Sequence, residues 1–479
     1  GGYPVYVVNV TCVEQIQYAV RFASMYGIRL VVKNTGHDFS GRSLGGGGLG
    51  VWIFHLKDIV YHDEYITEGY TGPAFHVGAG VQAREIYKVA YELRLMVVGG
   101  SVGLYGGYSL GGGHSMLSSL HGLGADQILS LNIVLASGEF VTASPTQNED
   151  LFWAVRGGGG STFGIVTSMV VKAFPDVRTT VASFSWGLED VNLTLEVFWA
   201  GIKSYFSRFE EFTNEGMAAE WYIWPEGDVT GGKVGGKLLF EIRQFFAVGK
   251  SMEQTQSLLA PWLEEMKRLG INLAMKMEEF PSYYQAYYWT DKPRTGGSYM
   301  PPTISYASRL IPRENFDKNG KLDETIRVLR DLINQDHSIN GYQYSPTLSV
   351  GKPVGADGNA VHPAWRTALS HVIVFVTWDA NASKEQQMGI RRKFADVTMK
   401  PLRELTSEGG SYANEADRLE PGWQGSFFGE NYERLLGVKG RVDPEGLLWS
   451  VNGVGSEGWG VRSWDGLPTE DGRLCRVGG

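Results

Sequence analysis

Apolar positions change their spacing along this chain, and the change separates helices from strands. Tyr6, Val7 and Val8 end a short β-rich run. Val13, Ile16, Val20 and Ala23 then recur with a helical period, which predicts an amphipathic helix over 13–26. Thr11 stands three residues ahead of Glu14, the capping-box spacing for the start of that helix. Arg29-Leu30-Val31-Val32 returns to strand, so the opening reads β-α-β and runs into a loop at Lys33-Asn34-Thr35-Gly36-His37. Strands are predicted at 74–77 and 96–98 with a helix over 82–93 between them. Residues 128–135 and 139–143 flank Ser137-Gly138 as a hairpin, and 165–174 is a further strand rich in β-branched residues.

The middle of the chain carries longer helical periods, over 195–212, 251–269, 322–334 and 384–406. Aromatic strand-like pieces such as Glu220-Trp221-Tyr222-Ile223-Trp224 lie between them. After 410, glycine and aromatic residues rise again, through Gly429-Glu430-Asn431-Tyr432 and Val454-Gly455-Ser456-Glu457. The pattern divides the chain into 1–175, 176–410 and 411–479, and 479 residues are enough for two or three cores. No internal repeat or low-complexity tract interrupts it.

Composition narrows the function. Hydrophobic residues make up 43% and charged residues 20%, an ordinary globular balance. A net charge of −9 argues against nucleic acid or an acidic membrane surface as partner. No apolar run approaches the roughly 20 residues that span a bilayer. Cys12 and Cys475 form no metal-binding pattern. Sequons at Asn9, Asn192 and Asn381 fit a secreted protein, and the opening Gly1-Gly2-Tyr3-Pro4, without an initiator Met, reads as a processed start. A secreted monomer is expected.

Glycine, 64 residues in all, is densest in three early clusters. The first is Thr35-Gly36-His37-Asp38-Phe39-Ser40-Gly41-Arg42-Ser43, followed by Gly45–Gly48. The second runs from Gly99 to Gly113 and on through His114 and Ser115. The third is Arg156-Gly157-Gly158-Gly159-Gly160-Ser161-Thr162-Phe163-Gly164. Glycine lets bare backbone approach a ligand and turn successive amides toward phosphate oxygens. Three such loops suggest a long phosphate-bearing ligand, against the plainer alternative of tight turns between strands. No Walker-type loop occurs. Gly78-Ala79-Gly80-Val81-Gln82-Ala83 matches a dinucleotide fingerprint, but Gly99-Gly100 stands where the ribose-binding acid belongs, so that motif is rejected.

At these clusters the chain resembles the berberine-bridge-enzyme-like, PCMH-type FAD-linked oxidases of the vanillyl-alcohol oxidase superfamily, particularly fungal secreted members. The markers are KNTGHDFSGRS (33–43), GGYSLGGGHS (106–115), HGLGADQILSLNIVLASGE (121–139) and DLFWAVRGGGGSTFGIVTSM (150–169). YANEAD (412–417) and FFGENYERLLGVKGRVDPEGLLW (427–449) complete them. The resemblance implies an α+β fold: a PCMH-type FAD-binding domain of two α+β subdomains, with an inserted α+β substrate domain built as an antiparallel sheet covered by helices.

It also implies FAD held by one covalent bond, from His37 to the flavin. The backbone of Thr35, Gly36, Asp38 and Phe39, with Ser43, is expected around the pyrophosphate. From the second cluster Val102, Gly103, Gly106, Gly107, Tyr108, Gly111, Gly112, His114 and Ser115 are assigned to the cofactor, although the resemblance gives His114 and His121 no firm chemical role. Gly158, Gly159, Gly164 and Val166 follow from the third, and Asn431 and Tyr432 are expected to close over the flavin edge. The second covalent link of many relatives needs a cysteine that Gly99-Gly100-Ser101-Val102-Gly103 lacks. Val102 matches the oxidase-like choice beside the flavin, with a core valine as the alternative.

Tyr412 matches the tyrosine of the family's Y-x-N motif and is the expected base, with Asn414 and Glu415 orienting it or the flavin. Asp126 and Asn132 are open between ligand contacts and strand-end polar residues. Cys475 resembles a terminal cysteine with an upstream partner; a Cys12–Cys475 bridge is the less favoured alternative. The implied activity is oxidation of a small organic substrate, with O2 as acceptor. A dehydrogenase using another acceptor, or a flavin-fold binding protein without turnover, are the alternatives.

Overall fold

The computed structural model describes residues 2–100, 105–190, 193–225, 238–290 and 303–477. Its sheets differ in type because their connections differ. The strands Tyr6–Asn9, Leu49–Trp52 and Leu30–Lys33 lie side by side in that order, both pairs parallel. Parallel pairing needs a crossover, and the helix Val13–Met25 supplies it, burying Ile16, Ala19, Val20 and Ala23. Its N-cap is Cys12 rather than Thr11. The Thr11 amide donates to Gln15 Oε1 at 2.7 Å, so the Thr11–Glu14 capping box does not form.

A five-stranded antiparallel sheet follows, in the order Ile59–Thr67, Tyr70–Gly78, Ile165–Lys172, Ile128–Val134, Phe140–Ala143. The hairpin expected around Ser137-Gly138 is present, with Gly138 at φ 79°. The helix Ala83–Glu92 packs Ile86, Tyr87 and Ala90 into the same core as Val77 and Val171. Of the strand expected over 96–98, only Leu95–Met96 pairs, with Phe174–Pro175; Val97 and Val98 are buried and lie beyond the end of that short strand.

The third sheet has seven antiparallel strands, in the order Lys276–Phe280, Thr179–Gly187, Leu239–Val248, Ala218–Trp224, Ile339–Gln343, Ala368–Thr377, Ile304–Pro312. Strand residues alternate between faces. Trp221, Ile339, Val372 and Val374 share one hydrophobic core with Phe198, Trp262 and Leu329 of the helices Leu195–Phe206, Met252–Arg268 and Leu322–Ile333. In the register Glu220 pairs with Tyr342 and Tyr342 with His371, so these three stand in a row on the face away from those helices. The fold is α+β, as expected.

Two predicted helices are divided. The one over 195–212 breaks at Ser207, whose hydroxyl donates to the Ser204 carbonyl at 2.7 Å, before Phe209–Asn214 begins. The one over 384–406 becomes a π-turn at Phe394–Thr398, after which Pro401 opens Lys400–Leu405. Proline has no amide hydrogen to continue a helix but fits its first turn. Cys12 and Cys475 are both free thiols.

Candidate cofactor and active site

A cavity of about 460 Å³ opens where the three glycine clusters and the C-terminal segment meet. Its wall takes Thr35, Gly36, His37, Asp38, Phe39 and Ser43 from the first cluster, Gly106, Gly107 and Tyr108 from the second, and Gly160 and Ser161 from the third. Val166 and Tyr412 line it as well. Loops separated by more than 300 residues in sequence are held together by specific polar contacts. Asp38 accepts from the Arg42 amide at 2.7 Å and pairs with its guanidinium at 2.9 Å. Arg42 then donates to the Ala413 carbonyl at 2.5 Å. Buried Glu470 pairs with both Arg29 and Arg418, and Arg418 donates to the Ser40 carbonyl at 3.0 Å. These contacts fix the first loop against the chain's C-terminal part.

The third loop is fixed in the same way. The amides of Gly157 and Gly159 both donate to the Leu110 carbonyl, at 2.9 and 3.1 Å. Lys439, in the helix Tyr432–Val442, donates to the Thr162 carbonyl at 2.7 Å and the Leu448 carbonyl at 2.9 Å, and pairs with Asp443 at 2.6 Å. Leu448, Trp449 and Ser450 thereby become part of the cavity wall.

The glycines divide into two kinds. Among the described residues a Cβ on Gly107 would meet nothing within 4 Å, and one on Gly160 only the Gly107 Cα at 4.0 Å. Both face open space, and side chains there would fill the cavity. By contrast, a Cβ on Gly158 would lie 2.5 Å from the Ala154 carbonyl oxygen, one on Gly164 2.5 Å from the Ile133 side chain, and one on Gly111 2.4 Å from Asn414. These three are required by packing behind the wall. Gly78 and Gly80, in the rejected fingerprint, crowd the Leu56 and Phe54 carbonyl oxygens at 2.3 and 2.2 Å, so their role is close packing.

Other expected positions lie away from the lining. Gly112 and Gly159, at φ 127° and 99°, shape their loops. Ser115 accepts from the Leu117 amide at 3.2 Å in a local turn. Asn431 donates to the Val361 carbonyl at 3.1 Å, and Tyr432 donates to Glu457 at 2.7 Å. Val102 and Gly103 lie outside the described residues, as does Asn192 of the second sequon. Asp126 forms a bidentate pair with Arg366, at 2.7 and 2.8 Å, and Asn132 bonds Ser168 and Thr142 within its sheet. His121 stacks on Phe174 at 3.8 Å, and burial lowers its pKa to about 4.

Behind Tyr412 and Glu415 of the cavity wall the packing is polar and aromatic. His114 and His371 both reach Glu415 Oε2, at 3.1 and 2.8 Å through their Nε2 atoms. Their ligand-type atoms all lie within 4.8 Å of one another, and the two hydrogen bonds account for that spacing. Tyr412, Tyr342 and Trp365 pack their rings around His114 at 5.6, 4.6 and 6.2 Å. Burial first, then the Glu415 charge, pushes the Tyr412 phenol well above its ordinary value, although Asn414 Nδ2 donates to it at 2.9 Å. Tyr412 therefore keeps its proton at neutral pH. Among the residues not assigned from sequence are Arg42, Asn34, Trp449, Ser450 and His371. His371 carried a readable signal, an ionisable residue immediately before the apolar run Val372-Ile373-Val374-Phe375-Val376.

The donor set fits FAD. His37 is exposed at the cavity rim, and its ring has no hydrogen-bond partner among the described residues. Asn34 Oδ1, also on the wall, is buried without a partner among the described residues. Gly107 and Gly160 leave bare backbone facing the space.

Comparison with known proteins agrees. A model of the FAD binding domain matches residues 4–144, and one of the berberine and berberine-like family matches 411–455. The FAD-linked oxidoreductase patO of Aspergillus clavatus is 36% identical over 484 residues, covering 100% of this chain and 79% of that protein. A VAO-type flavoprotein oxidase of Thermothelomyces thermophilus is 35% identical, with 100% and 79% covered. The crystal structure of a VAO-type flavoprotein from Myceliophthora thermophila superposes with a TM-score of 0.87 at 32% identity, covering 100% of this chain and 83% of that one. Physcomitrella patens BBE-like 1 shares the fold, with a TM-score of 0.75 at 21% identity and 95% and 91% covered. The chain belongs to the berberine-bridge-enzyme-like, vanillyl-alcohol-oxidase-type family of FAD-dependent oxidoreductases.

Proposed function

We propose that this enzyme is an oxidase: it moves a hydride from a small alcohol, sugar or phenolic substrate to FAD joined covalently to His37, and O2 takes the electrons to give H2O2. The observation that carries the reading is the placement of His37, an imidazole with no hydrogen-bond partner among the described residues, on the same cavity wall as the open backbone of Gly107 and Gly160. When bound, FAD supplies the two-electron acceptor, and a histidyl substituent makes it easier to reduce. The protein's share is positioning. The 35–43 loop and Gly160-Ser161 hold the phosphates by backbone amides, while Tyr412 offers its phenolic hydrogen to the substrate oxygen. Residues 1–175 with the 411–479 return form the flavin-holding unit. The 176–410 insert presents its sheet face to the substrate and sets specificity. Asn9 and Asn381 are exposed, in keeping with a secreted, glycosylated monomer.

The test begins with acid-precipitated protein. A yellow, fluorescent pellet that becomes colourless in His37→Ala supports the single covalent link; colour released by denaturation refutes it. Anaerobic reduction followed by air then separates acceptors. Reoxidation within seconds supports the oxidase, and flavin that stays reduced in air identifies a dehydrogenase.

A further inference from the structure

The active site requires a group to take the hydroxyl proton as the hydride leaves, and Tyr412 is badly placed in energy to do so. Its phenol is fully enclosed, and the nearest charge is negative. Glu415 is in the opposite position. It sits at the end of the turn Ala413–Glu415 and lines the cavity. Oε2 accepts from His114 and His371, while Oε1 has no hydrogen-bond partner among the described residues. Three distant segments therefore converge on one carboxylate: the second glycine cluster through His114, the strand Ala368–Thr377 through His371, and the C-terminal turn itself. We propose that Glu415 Oε1 is the proton acceptor for the substrate hydroxyl, with His114 and His371 as positioning residues that fix Oε2 and leave Oε1 directed to the substrate.

The step balances. The substrate O–H bond breaks and its proton goes to Glu415 Oε1. The carbinol C–H bond breaks with its electron pair, which leaves as hydride to FAD, and the C=O bond forms. The substrate loses two electrons and FAD gains them. Burial alone would raise the Glu415 carboxyl, but the two imidazoles, His114 foremost, outweigh it and hold the group well below the usual carboxylate range. The acceptor is thus ionised at neutral pH. Among the described residues the charged and titratable groups around it are His114, His371, Tyr412, Tyr342, Tyr344, Tyr306 and, beyond Asn414, Arg42 with Asp38. His371 is held neutral, burial being the larger influence on it. Its Nδ1 is buried without a hydrogen-bond partner among the described residues, which leaves the Nε2–H tautomer to face Glu415.

This inference rests on the oxidation reading above, and the experiment separates the two. The holoenzyme and its Glu415→Gln and Tyr412→Phe variants are mixed anaerobically with vanillyl alcohol, benzyl alcohol, glucose and cellobiose, and flavin bleaching is followed by stopped flow. In parallel, imidazole nitrogens are observed by NMR in protein labelled with 15N-histidine. General-base catalysis is worth about 10²–10⁴-fold, so Glu415→Gln should stay yellow and slow bleaching by about 10²-fold or more, with Tyr412→Phe less affected. The wild-type rate should be level from about pH 5 to about pH 9, since a carboxylate base is already ionised there and a phenol is not. Two histidines should show the Nε2–H tautomer and shift in Glu415→Gln. Equal bleaching by Glu415→Gln and wild type, or a rate still climbing toward pH 10, the ordinary phenol value, overturns the proposal. If none of the four compounds bleaches the wild type, the oxidation reading falls; the NMR then decides alone, and imidazole signals unmoved by Glu415→Gln overturn the carboxylate's assignment.

Discussion

Replacing Lys439 with Met tests whether the C-terminal helix holds the cofactor wall in place. The Lys439 side chain is 7% exposed and its Asp443 partner 2%. Its ammonium makes three contacts of 2.6–2.9 Å, two of them to carbonyls of separate loops. Hydrogen bonds to a charged group are worth about 1.5–3 kcal/mol each, and breaking a buried pair by removing one partner costs about 3–5 kcal/mol. Asp443 would keep the Leu447 and Leu448 amides as donors, at 2.9 and 2.8 Å, so its stranded charge is partly solvated. Methionine also recovers the packing of the lysine stem. The expected loss is therefore near the lower bound, about 3 kcal/mol. Urea unfolding followed by tryptophan fluorescence, with Trp449 on the affected wall, measures it. Lys439→Met/Asp443→Asn should be more stable than Lys439→Met alone, because no buried charge is left over. The argument is refuted if Lys439→Met unfolds within about 0.5 kcal/mol of wild type, the scale of an ordinary surface change, or if the double variant is the less stable of the two.

Other outcomes follow from the same geometry. Gly107→Val should fold but purify without bound FAD, since its side chain enters open space; Gly164→Val, crowding Ile133, should lower stability through packing instead. Loss of stability in Gly107→Val with normal FAD content would place that glycine in the packing rather than in the cradle. His362 is buried, accepting from the Ala364 amide at Nδ1 (3.0 Å) and donating to the Gly425 carbonyl from Nε2 (3.1 Å). Burial lowers its pKa to about 4, against about 6.5 when unfolded. The unfolded chain therefore binds the proton first, and stability falls as pH drops from about 6.5 toward 4. His362→Gln should flatten that part of the pH–stability curve, and an unchanged slope would exclude His362 as its source.

The local part of this fold was written in the sequence. The period of Val13, Ile16, Val20 and Ala23 marked the first helix, and Ser137-Gly138 marked a hairpin, because both depend on residues a few places apart. The family was readable for the same reason, in contiguous motifs such as 33–43 and 150–169. What the sequence did not disclose depends on approach between distant segments. Gly107 and Gly164 look alike as letters, yet one faces the cavity and the other lies against Ile133. Asn431 and Tyr432 read as flavin neighbours, but their polar atoms are engaged by Val361 and Glu457. Glu415 stood beside the more familiar Tyr412. Only the packing of the sheet face bearing His371 against the loop bearing His114 gives its carboxylate two imidazole donors, a charge environment that no local pattern encodes.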